Sequence, residues 1–466
     1  MPLTAAARPR PRAARPATAT LGQIAPLALL FYSFLLLPPE ARLTFADVNL
    51  PAYRIFILVS LVFVPRLIAR TKVRLGIADV LIGVSAAWMV VSFVGVYGSA
   101  GIVRALGLAV DFGGAYIIGR ACIDSPLSLR RFIVIIAPGL LFAGIMMMIE
   151  SISHVFIYRP LFADLFGQVN RYEGGEVIGL RSLQYQVRLG LTRAFGPFSH
   201  PILGGVFLAL FLPLYFMGGI RSWPRWLGLA ACAMAVFSVS SGAYLAFILG
   251  AVLLAADWMK RYIAFINWPA ISTAVVAALL AVQALSEGGV IRLMARFTLD
   301  PSTAYFRILI WRFGGLSVEK HPLFGIGFES YERLRWMVPS IDAQFLLLAV
   351  RHGLVTAVAL VVAILIVMVK LGQAAPRLPG KDRDLAVALN FVVAGAFISG
   401  FTVAYFGEAA AWFPAIIGMA ASLADHALAP ASAVPPAMRR PGLSRRPARG
   451  PARQQPPAGP APQPAG

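Results

Sequence analysis

The sequence predicts an all-α polytopic membrane protein of about twelve transmembrane helices, with two long loops on one side. Three observations carry that expectation. The chain of 466 residues is 59% hydrophobic and only 13% charged, with a mean hydropathy of +0.77, whereas soluble domains carry about 25% charged residues. Its apolar runs are continuous, unlike the alternating ~10-residue segments of a membrane β-barrel. Its basic residues collect in alternate connections, as the positive-inside bias requires. The first observation alone excludes an ordinary water-soluble enzyme.

Residues 1–20 form a basic tail with Arg8, Arg10, Arg12 and Arg15 and no acid. Twelve apolar runs follow, at 21–37, 54–69, 76–97, 102–119, 131–152, 198–219, 224–240, 242–258, 262–284, 343–370, 384–404 and 409–426. The first run has the basic lead-in of a signal peptide. It enters Pro38-Pro39-Glu40 without a small-residue cleavage site, and many spans follow, so it reads as a retained helix. Long segments at 153–197 and 285–342 interrupt the membrane domain of 21–426, while the remaining connections are short. Residues 427–466 hold six arginines, eleven prolines and no acid. That tail should be a disordered, solvated tether.

The formal charge is +21, from 41 Lys+Arg against 20 Asp+Glu. With the N-terminus inside, 25 of the 41 basic residues fall in the two tails and the short cytoplasmic connections, Arg120, Arg130, Arg131, Arg221 and Lys370 among them. Both long loops are then external, and both termini cytoplasmic. The basic excess suits anionic membrane lipids; no folded basic domain exists to bind nucleic acid. Cys122 and Cys232 build neither a disulfide framework nor a metal site. No His/Asp/Glu set has metal-ligand spacing, and no Asp-x-Asp pair lies on the external side. The expectation is therefore metal-free chemistry without a cofactor. No P-loop indicates ATP-driven transport. Arg104 and Asp111, two helical turns apart on one face, are a membrane-buried charge pair, a functional site, or an arginine snorkelling outward.

The residues that carry chemistry lie at the long loops. The first ends in Arg193-Ala-Phe-Gly-Pro-Phe-Ser-His200-Pro201-Ile-Leu-Gly204-Gly205. The second holds Ala304-Tyr-Phe-Arg307-Ile-Leu-Ile-Trp311-Arg312, then His321-Pro-Leu-Phe-Gly325-Ile-Gly327-Phe-Glu-Ser-Tyr331. It closes with Ile341-Asp342-Ala-Gln344-Phe-Leu-Leu-Leu-Ala-Val-Arg351-His352-Gly353. In this order, on one face of a twelve-helix protein, these segments resemble the O-antigen ligase/polymerase superfamily of bacterial envelope glycosyltransferases. Motifs carry the resemblance over about residues 190–370, and helix count and topology over the remainder.

The resemblance implies a GT-C-like enzyme of the bacterial inner membrane, with the two long loops periplasmic. It would take a glycan from undecaprenyl pyrophosphate and pass it to an acceptor hydroxyl, on another lipid-linked repeat unit in polymerases or on the lipid A–core in ligases. Arg193 and Arg307 match the family's essential external arginines. Where ligases carry His-Asn before Gly-x-x-Gly, this chain has Asp342-Ala343 before Gly353-Leu-Val-Thr356. The Ser-Ile-Asp-x-x-Phe-Leu pattern looks more like members that polymerise exopolysaccharide, so polymerase is the favoured reading and ligase the alternative. A lipid-linked oligosaccharide flippase is a further alternative, weakened by the lack of two similar halves.

The residue chemistry agrees with glycosyl transfer. A pyrophosphate leaving group needs fixed positive charge, and arginine supplies a planar, permanently protonated fork. A separate group must take the acceptor's proton, and Asp342, at the edge of an apolar helix, suits that role. Its bland reading is a helix N-cap. Arg312, His200, His321 and Gln344 complete the expected substrate-binding set, with a structural role at a helix end open for both histidines. Gly325-x-Gly327 reads as a tight turn, and Trp311 and Tyr331 as interface anchors or sugar-stacking rings.

Overall fold

The computed structural model describes residues 21–45, 48–71, 75–167, 171–173, 176–178, 186–260, 262–263, 277, 281, 285 and 301–429. Its helices belong to a unit spanning Ala19–Leu428. Residues 1–20 and 430–466 of the two tails expected to be basic and disordered lie outside the described residues, while residues 427 and 428 of the second tail still belong to the last helix.

In chain order the helices are α1 (Leu21–Leu35), α2 (Ala52–Thr71), α3 (Ile77–Tyr97), α4 (Ile102–Ala109), α5 (Ala115–Cys122), α6 (Pro126–Ser153) and α7 (Tyr158–Phe166). Then come α8 (Pro201–Leu210), α9 (Leu212–Met217), α10 (Trp223–Met234), α11 (Ser241–Met259) and α12 (Pro301–Lys320). The last four are α13 (Gln344–His352), α14 (Leu354–Ala374), α15 (Gly380–Ser399) and α16 (Ala409–Leu428). Local chemistry sets several starts. Ser125 accepts the Ser128 N–H at 3.3 Å ahead of Pro126, and Asp79 accepts the Gly76 N–H at 2.7 Å. Both are side-chain answers to the orphan groups of a helix N-terminus.

Among the described residues, six helical stretches are long and apolar enough to cross a membrane: Ala52–Ala69, Ile77–Cys122, Pro126–Ser153, Ser241–Met259, Leu354–Arg377 and Ala409–Leu428. Leu21–Leu35 and Pro201–Met217 are apolar but shorter. Each of the twelve expected runs falls on helix except 262–284, most of which lies outside the described residues. Three runs are not the continuous helices their composition suggests. The 343–370 run breaks at Gly353, whose φ is +82° and whose added Cβ would sit 1.8 Å from the Leu323 carbonyl oxygen. Hydropathy does not register that backbone requirement. The 198–219 run breaks at Phe211, two residues ahead of Pro213, whose ring cannot continue a helical hydrogen-bond ladder. The 102–119 run widens into a π-turn at Val110–Gly114.

That π-turn carries Asp111, which is buried and pairs with Arg54 (Nε–Oδ1 2.8 Å, Nη2–Oδ2 2.6 Å). Arg104 pairs elsewhere, its guanidinium 5.0 Å from the centre of the Phe328 ring. The helical spacing of Arg104 and Asp111 is thus not used as an ion pair.

Among the tightest helix pairings are α5 with α16, α6 with α10, α3 with α14 and α8 with α11. Lipid provides no hydrophobic drive between helices, so association rests on packing, polar contacts and lipid entropy. The α5–α16 crossing has no room for side chains: a Cβ on Gly119 would lie 2.1 Å from the Ala415 carbonyl oxygen, and one on Gly418 2.2 Å from that of Tyr116. An aromatic centre fills the middle of the bundle, with Phe31 against Phe132 at 4.9 Å and Phe207 against Trp412 at 5.2 Å. Arg120 follows the crossing and binds Asp79 at 2.8 Å and also Asp425. Arg130 meets Asp382 at 2.5 Å. Cys122 and Cys232 are buried and free.

The expected loops have structure of their own. Segment 153–197 contains α7 and short hairpins, and segment 285–342 contains all of α12.

Candidate functional site

Residues 186–193 form a β-hairpin, pairing Val187 with Thr192 and Arg188 with Leu191 around Leu189-Gly190. Both turn residues have positive φ (+53° and +76°), the left-handed pair that matches strand twist in a two-residue hairpin. One pair further out, the Arg193 N–H donates to the Gln186 carbonyl at 3.0 Å, and Arg193 Nη1 donates to Gln186 Oε1 at 2.7 Å. Alternation along the strands puts Gln186, Arg188 and Arg193 on one face.

The chain after Arg193 is held by two buried carboxylates. Glu150, near the end of α6, accepts the N–H groups of Phe195 (3.0 Å) and Gly196 (2.7 Å). Glu408, just ahead of α16, accepts the Ser199 N–H at 2.8 Å and the Ser199 hydroxyl. Burial pushes the Glu408 carboxyl above its ordinary value, while its bonds from Ser199 pull it down. Nearby, buried Arg159 pairs with buried Glu40 and lies 5.1 Å over the Phe195 ring. The segment ends at His200, which caps α8 by accepting the Ile202 N–H on Nδ1 at 3.2 Å.

The hairpin face, His200, Ser240 and Ser241 at the start of α11, Arg307 on α12, Ser340 and Asp342, and the stretch Thr402–Ala404 line one cavity of about 160 Å³. Arg188, Arg193 and Arg307 outnumber its single carboxylate, Asp342. Arg307 is 7% exposed, and its Nε has no hydrogen-bond partner among the described residues. Its guanidinium is pulled below the usual arginine value, chiefly by burial; Asp342 opposes the shift and Arg188 adds to it. It remains a cation at neutral pH. The N-termini of α8 and α11 meet the same cavity and add partial positive charge. The arrangement is suited to an anion.

The expected site residues therefore divide. Arg193, Arg307, Asp342 and His200 come together at the cavity. Gln344 does not line it: its Oε1 accepts the Tyr405 N–H at 2.7 Å, fixing the turn after α15. Arg312 is exposed beside the Phe313 ring, and His321 is exposed at the end of α12, both outside the cavity lining. Asp342 does not hold the N-cap position of α13, which belongs to Ala343. Trp311 donates its indole N–H to the Phe401 carbonyl at 3.1 Å, and buried Tyr331 bonds the Ser340 carbonyl, so both act as internal anchors. Gly325-x-Gly327 is a turn whose Ile326 and Gly327 N–H groups bond the carbonyls of Val350 and Arg351 at the end of α13.

Arg188, Gln186, Glu150 and Glu408 are additions that the sequence reading did not single out. Arg188 had a signal in its alternation with Gln186 on the strand just before a Leu-Gly turn, with Arg193 following that turn. The two glutamates stand at the edges of apolar runs, where an acid reads as a boundary. Among the described residues no group of three or more His, Cys, Asp or Glu is placed to hold a metal ion.

No known protein-family profile matches the chain, and no curated protein matches it.

Proposed function

We propose that this protein is an inner-membrane glycosyltransferase that polymerises lipid-linked glycan repeat units at the external, periplasmic face. The supporting observation is the shared cavity of Arg193, Arg307 and Asp342, with Arg188 and His200 beside them. In this reading the expected twelve spans, GT-C-like topology and external loops hold, and the cavity opens where those loops meet the helix ends.

The donor is a glycan on undecaprenyl pyrophosphate. The acceptor hydroxyl oxygen attacks the anomeric carbon, and the bond from that carbon to the diphosphate oxygen breaks. The bonding electrons leave on the diphosphate, where Arg193 and Arg307 balance the developing charge. The hydroxyl proton passes to the Asp342 carboxylate. His200 is less suited to receive it, because its Nδ1 is engaged by the Ile202 N–H. Gln186 and the carboxylates of Glu150 and Glu408 hold the arginine-bearing segment in place. A transporter reading has less support, because Asp111, a carboxylate within the 102–119 run, is already paired with Arg54.

The test is a deletion strain whose envelope glycans are separated by size. Short glycans with single repeat units retained support polymerisation. Intact chains that no longer reach the lipid A–core point to ligation. Unchanged glycans overturn both.

A further inference from the structure

A second concentration of positive charge lies away from the cavity. Arg104, at the start of α4, and Arg351, in the last turn of α13, both sit against the Phe328 ring, with guanidinium carbons 5.0 and 4.6 Å from its centre. Neither guanidinium makes an ion pair or hydrogen bond among the described residues. The Arg351 guanidinium is charged at neutral pH. Glu329 lines the small cavity of about 80 Å³ beside Arg351, yet pairs with neither arginine.

The ring that both guanidiniums approach is held firmly. The Phe328 N–H donates to the Tyr97 hydroxyl at 2.6 Å, and Phe93 meets the ring edge-on at 5.2 Å. The turn before it is bonded to the end of α13. An anion bound beside them gives both cations a counter-charge that the described residues do not supply. The surface next to them is apolar: Ile102, Val103, Leu106, Phe324 and Leu354 are all exposed. Charge beside exposed apolar surface fits a ligand with an anionic head and a hydrocarbon tail.

We propose that Arg104 and Arg351 form a second anion site, which holds the diphosphate of the lipid-linked acceptor. The proposal rests on the polymerase reading, since joining two lipid-linked units requires two diphosphates to be bound at once. The donor's diphosphate departs from the cavity at Arg193 and Arg307. The acceptor's diphosphate stays attached to its glycan throughout and needs only an anchor. Asp342 and Arg351 stand at opposite ends of α13, a helix of nine residues that measures about 13 Å at 1.5 Å per residue. An acceptor sugar can reach across that distance from one site to the other.

The experiment counts bound lipid by native mass spectrometry of the detergent-purified full chain, with undecaprenyl pyrophosphate as probe. Wild type should carry two molecules, and Arg104→Gln and Arg351→Gln one each. Arg193→Gln should lose the other, and Arg104→Gln with Arg193→Gln both. Arg104 is exposed, so its variant should melt at the wild-type temperature even if Arg351→Gln does not. A maximum of one lipid on wild type, or two on Arg104→Gln, overturns the proposal. A second arm adds equimolar phosphatidylglycerol: the second pyrophosphate lipid should stay bound, and its displacement assigns the site to ordinary phospholipid and overturns the acceptor role. Binding is read without turnover, so these results stand apart from failure of the polymerase reading, which the glycan profile reports.

Discussion

Arg193 and Gln186 face each other across the hairpin that opens the cavity, joined by a backbone bond of 3.0 Å and a side-chain bond of 2.7 Å. The arginine is thereby aimed by its own strand partner, with its charge turned toward Arg307 and Asp342. Geometry of this kind depends on the flat fork of a guanidinium.

Arg193→Lys and Arg307→Lys should each lose roughly 10–100-fold in polymerisation rate, since a hydrogen bond to a charged group is worth about 1.5–3 kcal/mol and lysine cannot reproduce the bidentate fork. Membrane protein levels should match wild type. Full activity in both lysine variants would remove the diphosphate clamp from the mechanism. Loss in Arg307→Lys alone would make Arg193 a structural residue.

Asp342→Asn should lower the rate by about 10²–10⁴-fold, the usual contribution of a general base. Because Ala343 holds the cap position of α13, the variant should unfold at nearly the wild-type temperature. Turnover within a few-fold of wild type would leave the reaction to the arginines and to positioning.

How far the sequence reads through to this site depends on the residue. Arg193, Arg307, Asp342 and His200 stand out because charge in long polar loops between apolar runs is conspicuous. Gln344 misled, since composition does not say whether an amide faces a ligand or, as here, the Tyr405 backbone. For Arg104 and Asp111 the sequence left several readings open, because helical spacing defines a face and says nothing of a partner as distant as Arg54, 57 positions before Asp111. The apolar runs located the helices well. Breaks at Gly353 and Phe211 escaped, because hydropathy does not report backbone dihedrals.

Glu408 supplies a pH test. Burial raises its carboxyl above 4.5, so the folded protein holds that proton more tightly than the unfolded chain. The stabilising contribution is complete below the unfolded value and is lost as pH rises through the folded one. Glu408→Gln keeps an acceptor for the Ser199 N–H and cannot ionise. Its melting temperature relative to wild type should climb as the buffer is raised from pH 4.5 toward neutrality. A constant difference would mean that Glu408 titrates alike in both states.

Gly353→Ala should destabilise the detergent-solubilised protein by more than about 1 kcal/mol, because alanine is strained at φ +82° and its methyl meets the Leu323 carbonyl. Thermal unfolding checks this. An unchanged melting temperature would show that the α13–α14 junction relaxes freely.

Orientation is open to thiol labelling, and the two native cysteines are buried, leaving a quiet background. Ser330→Cys and Ser222→Cys are both at exposed positions. An impermeant maleimide added to intact spheroplasts should label the first and reach the second only after lysis. The opposite pattern would put the arginine cavity on the cytoplasmic side.

The glycine crossing of α5 and α16 ties steric tolerance to electrostatics. Gly119 immediately precedes Arg120, and Gly418 lies seven residues, about two turns, before Asp425. Ser422 donates its hydroxyl to the Arg120 carbonyl at 2.8 Å within the same stretch. A methyl group at either glycine would force the backbones apart and draw the guanidinium away from Asp425, although neither charged residue had been altered. Substitutions at Gly119 and Gly418 should therefore be recovered in a selection only together with changes that remove the buried charge, so that four positions on two helices vary as one unit.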